Sequence, residues 1–384
     1  MRRASLAALS VLAALLLAVG CASEPDESAS DAASDPEPPH EEDETDDADG
    51  EQTGTASQDD EGEDAEGEGA EGEGAEEDPD DDAPDVDPAE VGANELGDVP
   101  ILMYHRLRED GGGEYDRTPE GFRAELEWLF ANDYVPVTIA DLLDGALDLP
   151  AGTSPVVLTF DDSPSEHAQL DEDDEPEPDT ALGILHDVAE DHDVEPVAVW
   201  SVLPNPFGGD PDEAERIMRW LHDQGHELAN HTCRHEPLSG RDDDDVAEDV
   251  LCGERVITDA VPEAEVRTFT LPLGVWPDER SLAYEGTTDE GDYSHDAVLL
   301  VGANPAPSPF ASDFDPRDLP RIRTGSWDGG DPDFESEFWL DVLEDDPDRR
   351  FVSDGDPDSV AFPEELADRL DADHEDRARP YARD

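Results

Sequence analysis

Residues 155–160, Pro-Val-Val-Leu-Thr-Phe, form an apolar, β-rich run that ends on two adjacent acids, Asp161 and Asp162. A run of this composition reads as a core strand. Strand ends are where the active sites of α/β folds gather. Two carboxylates at the strand tip are then aimed at one spot. A second candidate strand, His226–His231, ends on a histidine. His231 and His235, at i and i+4, can present two imidazoles to one ion. One carboxylate and two imidazoles make a facial set of three ligands that leaves positions open for water and substrate. The second carboxylate remains free to act as a base, which is the outline of metal-assisted hydrolysis. Singly, neither signal decides. A chain with 108 acidic residues contains many Asp pairs, and H-x-x-x-H is common on surfaces. The conjunction at two strand ends is rarer.

From Val99 onward strands and helices alternate. Strands are predicted at Val99–Leu107, Tyr134–Ile139, Pro155–Phe160, Glu195–Val202, His226–His231 and Val266–Pro272. Helices are predicted near Pro119–Ala131, Thr180–Asp191, Asp212–Gln224 and Val246–Ala260, with Pro119 and Pro211 suited to first-turn positions. Repeated βα units of this length imply a mostly parallel sheet, open or closed as a barrel.

These residues resemble the polysaccharide deacetylases, the NodB-homology domain of carbohydrate esterase family 4. Thr159-Phe160-Asp161-Asp162 matches the family's first motif. Gly225-His226-Glu227-Leu228-Ala229-Asn230-His231-Thr232-Cys233-Arg234-His235 matches its second. The resemblance implies a distorted (β/α) barrel of about seven strands. It implies Asp161 as catalytic base, with Asp162, His231 and His235 as ligands of a divalent metal, zinc or similar. The third motif is partly kept in Arg267-Thr268-Phe269-Thr270-Leu271-Pro272-Leu273-Gly274. Thr270 stands where an arginine usually contacts the catalytic Asp, and Arg267 is the candidate replacement. Leu273 follows Pro272 at the usual oxyanion donor position, where a backbone N–H serves whatever the side chain.

A C-terminal histidine acid is missing from its usual place, since His374 lies in a polar stretch. Pro100-Ile101-Leu102-Met103-Tyr104-His105 is similar instead to the opening strand of circularly permuted members, the poly-N-acetylglucosamine deacetylases, which makes His105 the candidate acid. Leu319-Pro320-Arg321-Ile322 is similar to a recurring segment of that branch. The activity implied is N-deacetylation of an acetylated polysaccharide. A non-catalytic glycan-binding module and an O-acetyl esterase are the alternatives. The segment Ser163–Asp179, containing His167 and an acidic cluster from Asp171 to Glu177, is expected to rim the cleft.

Met1-Arg2-Arg3 and the apolar run Leu6–Val19 read as an export signal. Ala18-Val19-Gly20-Cys21 resembles a lipobox, with Cys21 as the lipidated mature N-terminus and the membrane as a partner through that anchor. The expected location is therefore the extracellular face of the cell membrane. Cys233 and Cys252 remain as a pair, and an oxidising compartment permits a disulfide between them. Residues 22–95 are mostly Glu, Asp, Gly, Ala, Ser and Pro, a composition that cannot offset its ordering entropy and reads as a disordered tether. The deacetylase domain is expected over 96–360, followed by a polar tail, 361–384, with a short helix at Glu364–Leu370.

Acidity extends beyond the tether. Residues 1–95 hold 33 acids, leaving 75 of the 108 for the remainder, against 20 of the 22 basic residues, all arginine. The formal net charge of −86 argues against nucleic acid as a partner. It fits a salt-adapted or calcium-loaded surface.

Overall fold

The computed structural model describes residues 86–145, 147–302, 304–325 and 335–383. The signal segment, Cys21 and the tether up to residue 85 lie outside the described residues.

Eight parallel strands lie in one sheet: β1 (Ile101–Tyr104), β2 (Tyr134–Pro136), β3 (Ser154–Phe160), β4 (Val199–Val202), β5 (Glu227–Asn230), β6 (Thr268–Thr270), β7 (Ala297–Leu299) and β8 (Ile322–Arg323). Seven of them run in the order β7-β6-β5-β4-β3-β1-β8, and β2 pairs with the first half of β3. A parallel bridge between Leu299 and Leu319 joins β7 to the segment entering β8, drawing the two ends of the curled sheet together. The result is a distorted (β/α) barrel, as the strand–helix alternation and the resemblance imply. All residues of β1, β3, β4 and β5 are buried. A column of rings crosses these strands: Phe160 stacks on Trp200 at 4.5 Å and on Tyr104 at 5.1 Å.

Helices α1 (Pro88–Val91), α2 (Pro119–Ala131), α3 (Ile139–Asp144), α4 (Ala181–His192), α5 (Pro211–Asp223), α6 (Asp243–Ala260) and α7 (Ser336–Asp345) complete the fold. Their starts are written locally. The side chains of Thr118, Thr180 and Asp210 accept from the third backbone N–H beyond them, and Pro119 and Pro211 occupy first-turn positions.

Three expectations need correction. The strand expected over Tyr134–Ile139 stops at Pro136. Thr138 and Asp141 form a capping box, the buried carboxylate of Glu227 accepts the N–H of Ala140, and the chain turns into α3 instead. The strand expected over Val99–Leu107 breaks at His105, because Arg106–Leu107 leaves the main sheet to pair with Asp116–Arg117.

The third concerns the ends of the chain. Beyond 360, where a polar tail is expected, Val360–Pro363 is a buried strand that pairs with Ala378–Tyr381, and Glu364–Arg369 forms a 3-10 turn. At the other end, Asp87 caps α1, and Asn94 and Glu95 are buried, so folded structure begins before residue 96. The reason is long-range. Asn94 Nδ2 donates to the carbonyls of Pro347 and Arg350, and Glu95 Oε2 accepts from the N–H of Ala361. Polar contacts made by single residues across some 260 positions leave no local periodicity to read.

Burial pushes the Glu95 carboxyl up to about 8, and nearby Asp354 adds to the shift while the Ala361 N–H opposes it. A carboxyl raised in the folded state contributes stability that is complete below its unfolded value and lost as pH rises through its folded value. Glu95→Gln keeps an acceptor for Ala361 and cannot ionise. Its melting temperature relative to wild type should therefore climb between pH 5 and pH 9. A difference that stays constant over that range would refute a protonated Glu95.

Candidate active site

The site lies where the C-terminal ends of β1, β3, β5 and β6 meet. β3 ends at Phe160, and Asp162 and Ser163 follow with φ of 74° and 43°. This left-handed turn sends the two carboxylates in different directions. Asp161 is 1 % exposed, and both of its oxygens are held by Arg321, Nη1 to Oδ1 at 2.8 Å and Nη2 to Oδ2 at 2.7 Å. Asp162 faces outward to the histidine pair.

The second motif forms one braced loop after β5. Asn230 Oδ1 accepts from the N–H of Thr232, and its Nδ2 donates to the carbonyl of Val250 in α6. Gly253 makes this approach possible, since a Cβ there would run into Asn230 Oδ1 and the Thr232 backbone. Thr232 has φ 68°, and its hydroxyl accepts from the N–H of His235, whose own φ is 50°. Asp249 Oδ1 receives the N–H groups of Cys233 and Arg234, and Asp249 Oδ2 pairs with Arg241 at 2.7 Å. A disulfide joins Cys233 to Cys252 of α6, so the loop is also pinned covalently, between Thr232 and Arg234. Of the ten non-glycine residues with positive φ among the described residues, Asp162, Ser163, Thr232, His235 and Leu273 lie at this site. Strain of this kind concentrates where surrounding structure over-determines a functional geometry.

The residues fit a metal ion. Asp162 Oδ1 lies 3.5 Å from His231 Nε2 and 3.2 Å from His235 Nε2, and the three ligand atoms all fall within 4.8 Å of one another. Tetrahedral ligands at zinc-like bond lengths sit roughly 3.3 Å apart. His231 Nδ1 donates to the carbonyl of Thr270 at 2.8 Å, which assigns the ring's hydrogen to Nδ1 and turns the Nε2 lone pair toward Asp162. Asp162 Oδ1 is buried with no hydrogen-bond partner. A cation between that acceptor oxygen and the imidazole nitrogens would satisfy all three, and two imidazoles plus one carboxylate are a suitable ligand set.

Around this set lies a cleft of ≈ 380 Å³ whose lining includes His105, Arg106, Tyr115, Leu273 and Val301. His105 Nε2 is 3.7 Å from Asp161 Oδ2, and its ring packs on Tyr115 at 4.7 Å. Burial lowers the His105 imidazole below its ordinary value against the pull of Asp161 and Asp162. Burial alone would raise the Asp161 carboxyl, but the Arg321 guanidinium outweighs it and holds Asp161 well below the usual carboxylate range. Leu273 is 56 % exposed and Val301 40 %, and they are the exposed large hydrophobic residues among those described. Both border the cleft, so its rim is apolar on one side. A second recess, ≈ 570 Å³, lies beside the disulfide on the far side of the loop and reaches none of these ligands.

Of the expected site residues, Asp161, Asp162, His105, His231, His235 and Leu273 come together, and Pro272 opens the turn that presents Leu273. Arg267 does not. It pairs with Asp296 and Asp144 before β6 begins, at the opposite end of that strand from Pro272. The guanidinium beside Asp161 is Arg321. It arrives from the turn before β8, in the Leu319–Ile322 segment, where the sequence signal was present but unassigned. Arg106, Tyr115, Val301 and Asp249 carried no signal that would have singled them out. Ser201 and Thr270 share a hydrogen bond at 2.7 Å behind the site, so Thr270 completes a buried hydroxyl pair where the family pattern has arginine.

Residues 149–286 match the family model of polysaccharide deacetylases. A chitooligosaccharide deacetylase of Sinorhizobium fredii is 32 % identical over 170 residues, covering 44 % of this chain and 62 % of the relative. One from a Bradyrhizobium species is 32 % identical over 126 residues, covering 33 % of this chain and 49 % of the relative. The chain thus spans half to three-fifths of the length of these curated relatives. Among solved structures, a polysaccharide deacetylase from Bacillus anthracis superposes with a TM-score of 0.46 at 16 % identity, covering 64 % of this chain and 68 % of that one. That likeness is too slight to argue from.

Arg321 has 0 % of its side chain exposed, and Asp161 2 %. Removing one partner of such a pair leaves an uncompensated buried charge, a cost of about 3–5 kcal/mol. Arg321→Met should lose stability of that order in urea unfolding at pH 7. A loss under about 1 kcal/mol would mean the pair is not desolvated as described.

Proposed function

We propose that this protein is an exported, metal-dependent deacetylase that hydrolyses N-acetyl groups of an amino-sugar glycan to acetate and free amine. The observation that carries this is the convergence of Asp161, Asp162, His231, His235 and His105 on one cleft. The match of residues 149–286 to polysaccharide deacetylases supports the reaction class. The chitooligosaccharide deacetylase relatives support an acetylated amino-sugar substrate.

Asp162, His231 and His235 would hold the ion, zinc by the nitrogen-rich ligand set, which when bound supplies Lewis acidity to an acyl carbonyl. Asp161 accepts a proton from the attacking water. Arg321 keeps it in the ionised form that a base requires, at some expense of basicity. The backbone N–H of Leu273, on the turn between Pro272 and Gly274, donates to the developing oxyanion. His105 gives a proton to the departing amine nitrogen. Tyr115 packs the inner side of the cleft, and Leu273 with Val301 offers an apolar surface against which a sugar face can lie.

Export and attachment through a lipid on Cys21 belong to the same proposal, with the acidic segment as tether. So does adaptation to salt. A surface this rich in carboxylates repels itself, and at 1 M salt the screening length falls to about 3 Å. The melting temperature should rise steadily from 0.1 M to 2 M KCl. A flat profile would remove the salt-adapted reading.

The deciding assay is acetate release from acetylated chito-oligomers with added zinc in high salt. Wild type should release acetate, and chelation or Asp162→Ala should abolish release and metal uptake. Full turnover by Asp162→Ala would sink the metal assignment. Glycan binding without any acetate release would leave a binding module.

A further inference from the structure

His105 lacks the partner that usually aims a histidine. Such a ring is commonly oriented by a hydrogen bond at Nδ1. Here Nδ1 of His105 is buried with no hydrogen-bond partner, while Nε2 faces Asp161. The direction of the ring must come from its backbone and its packing. That backbone lies just outside the sheet: β1 ends at Tyr104, whose carbonyl takes the N–H of Asp161, and the chain leaves the ladder at His105.

The peptide unit joining His105 to Arg106 is held at both polar ends. The Arg106 N–H donates to the carbonyl of Tyr115 at 3.1 Å. The His105 carbonyl receives Nε2 of His167. His167 is fully buried, lying edge-on to Phe160 at 5.4 Å and beside Trp200 at 6.1 Å. Its backbone is tied as well, its N–H to the Pro164 carbonyl at 3.0 Å and its carbonyl to the N–H of Leu182 in the first turn of α4 at 2.9 Å. The donor is thus fixed on a rigid support. The segment Ser163–Asp179, expected to rim the cleft, sends this residue underneath it.

His167 carries a cost. Its Nδ1 is buried without a partner, and an unmatched buried acceptor is destabilising. A leucine would fill the same aromatic box without that penalty. What a histidine adds there is its one donated bond, to the His105 carbonyl. Burial also holds the His167 imidazole down to about 4, so it stays neutral near pH 7.

We infer that His167 is a positioning residue for His105, orienting the His105–Arg106 peptide so that the His105 ring points at Asp161 and the substrate's leaving nitrogen. This rests on the deacetylase reading for its kinetic consequence, but not for its geometry. Three full-chain variants test it: His167→Leu, which removes the donor; His167→Gln, which keeps a side-chain N–H at similar reach; and His167→Leu combined with His105→Ala.

His167→Leu should lower kcat, by up to about 10²-fold, with KM within about twofold of wild type. His167→Gln should recover most of the rate. On the His105→Ala background the leucine substitution should cost nothing further, since the two residues would act as one unit. Independently of turnover, the His105 imidazole resonances in histidine-labelled protein should move in His167→Leu and return toward wild type in His167→Gln. An equal kcat loss with and without His105 overturns the inference, as does a lowered melting temperature with unchanged kcat. If wild type releases no acetate, the deacetylase reading falls on its own. The resonance comparison then decides, and unmoved His105 signals in a folded His167→Leu protein overturn the positioning role.

Discussion

The Arg321 guanidinium, with no exposed side-chain surface, makes four hydrogen bonds to two separate parts of the barrel, the segment after β7 and the end of β3, and reaches a third through Thr159. Nε donates to the Leu300 carbonyl beyond β7, Nη1 to the Thr159 hydroxyl and Asp161 Oδ1, and Nη2 to Asp161 Oδ2. Thr159 in turn donates to the Leu102 carbonyl of β1. One cation therefore links β1, β3 and the end of β7 next to the Leu299–Leu319 bridge that draws the sheet's ends together. Buried charges are tolerated only when paired and hydrogen-bonded, and this one is both. The same contacts keep Asp161 ionised in a place where burial alone would neutralise it. A single side chain thus braces the junction of the sheet's ends, beside the backbone bridge there, and sets the charge state of Asp161.

Around that pair the site is built in shells of differing rigidity. The loop after β5 is held by Asn230, Asp249, a close approach at Gly253 and a disulfide, so His231 and His235 have little freedom to separate. Asp162 gains its direction from a left-handed backbone turn rather than from a partner. His105 is aimed through its peptide rather than its ring. His231 and His235 are thus fixed by covalent and backbone constraints, while Asp161 and His105 are held by hydrogen bonds and packing.

The acidic composition and the site answer to different physics. Most arginines of the described domain are engaged with carboxylates at the surface, where such pairs contribute little each. Arg321 differs only in where the fold places it. Counting charges cannot distinguish it from Arg267, which sits in a more family-like motif position yet spends its guanidinium on Asp144 and Asp296 at the other end of its strand.

The sequence alone determined what depends on neighbours in the chain. Helix starts at Pro119 and Pro211 were readable because a proline suited to the first turn is a local signal. The core strands β3 and β4 were readable because full burial leaves a nearly unbroken apolar run, whereas β5, Glu-Leu-Ala-Asn, was readable only from the motif that contains it. Asp161, Asp162, His231 and His235 were legible because their spacing within two short segments is itself the signal. Tertiary structure decided the rest. Which arginine meets Asp161, why His105 breaks from its strand, what His167 holds, and how residues near 95 meet residues near 360 are all contacts across tens to hundreds of positions. Short strands such as β7 and β8 have too few residues for a pattern, and their existence follows from the sheet they complete. Local patterns record which face a residue must bury; only the assembled sheet sets which distant partner waits there.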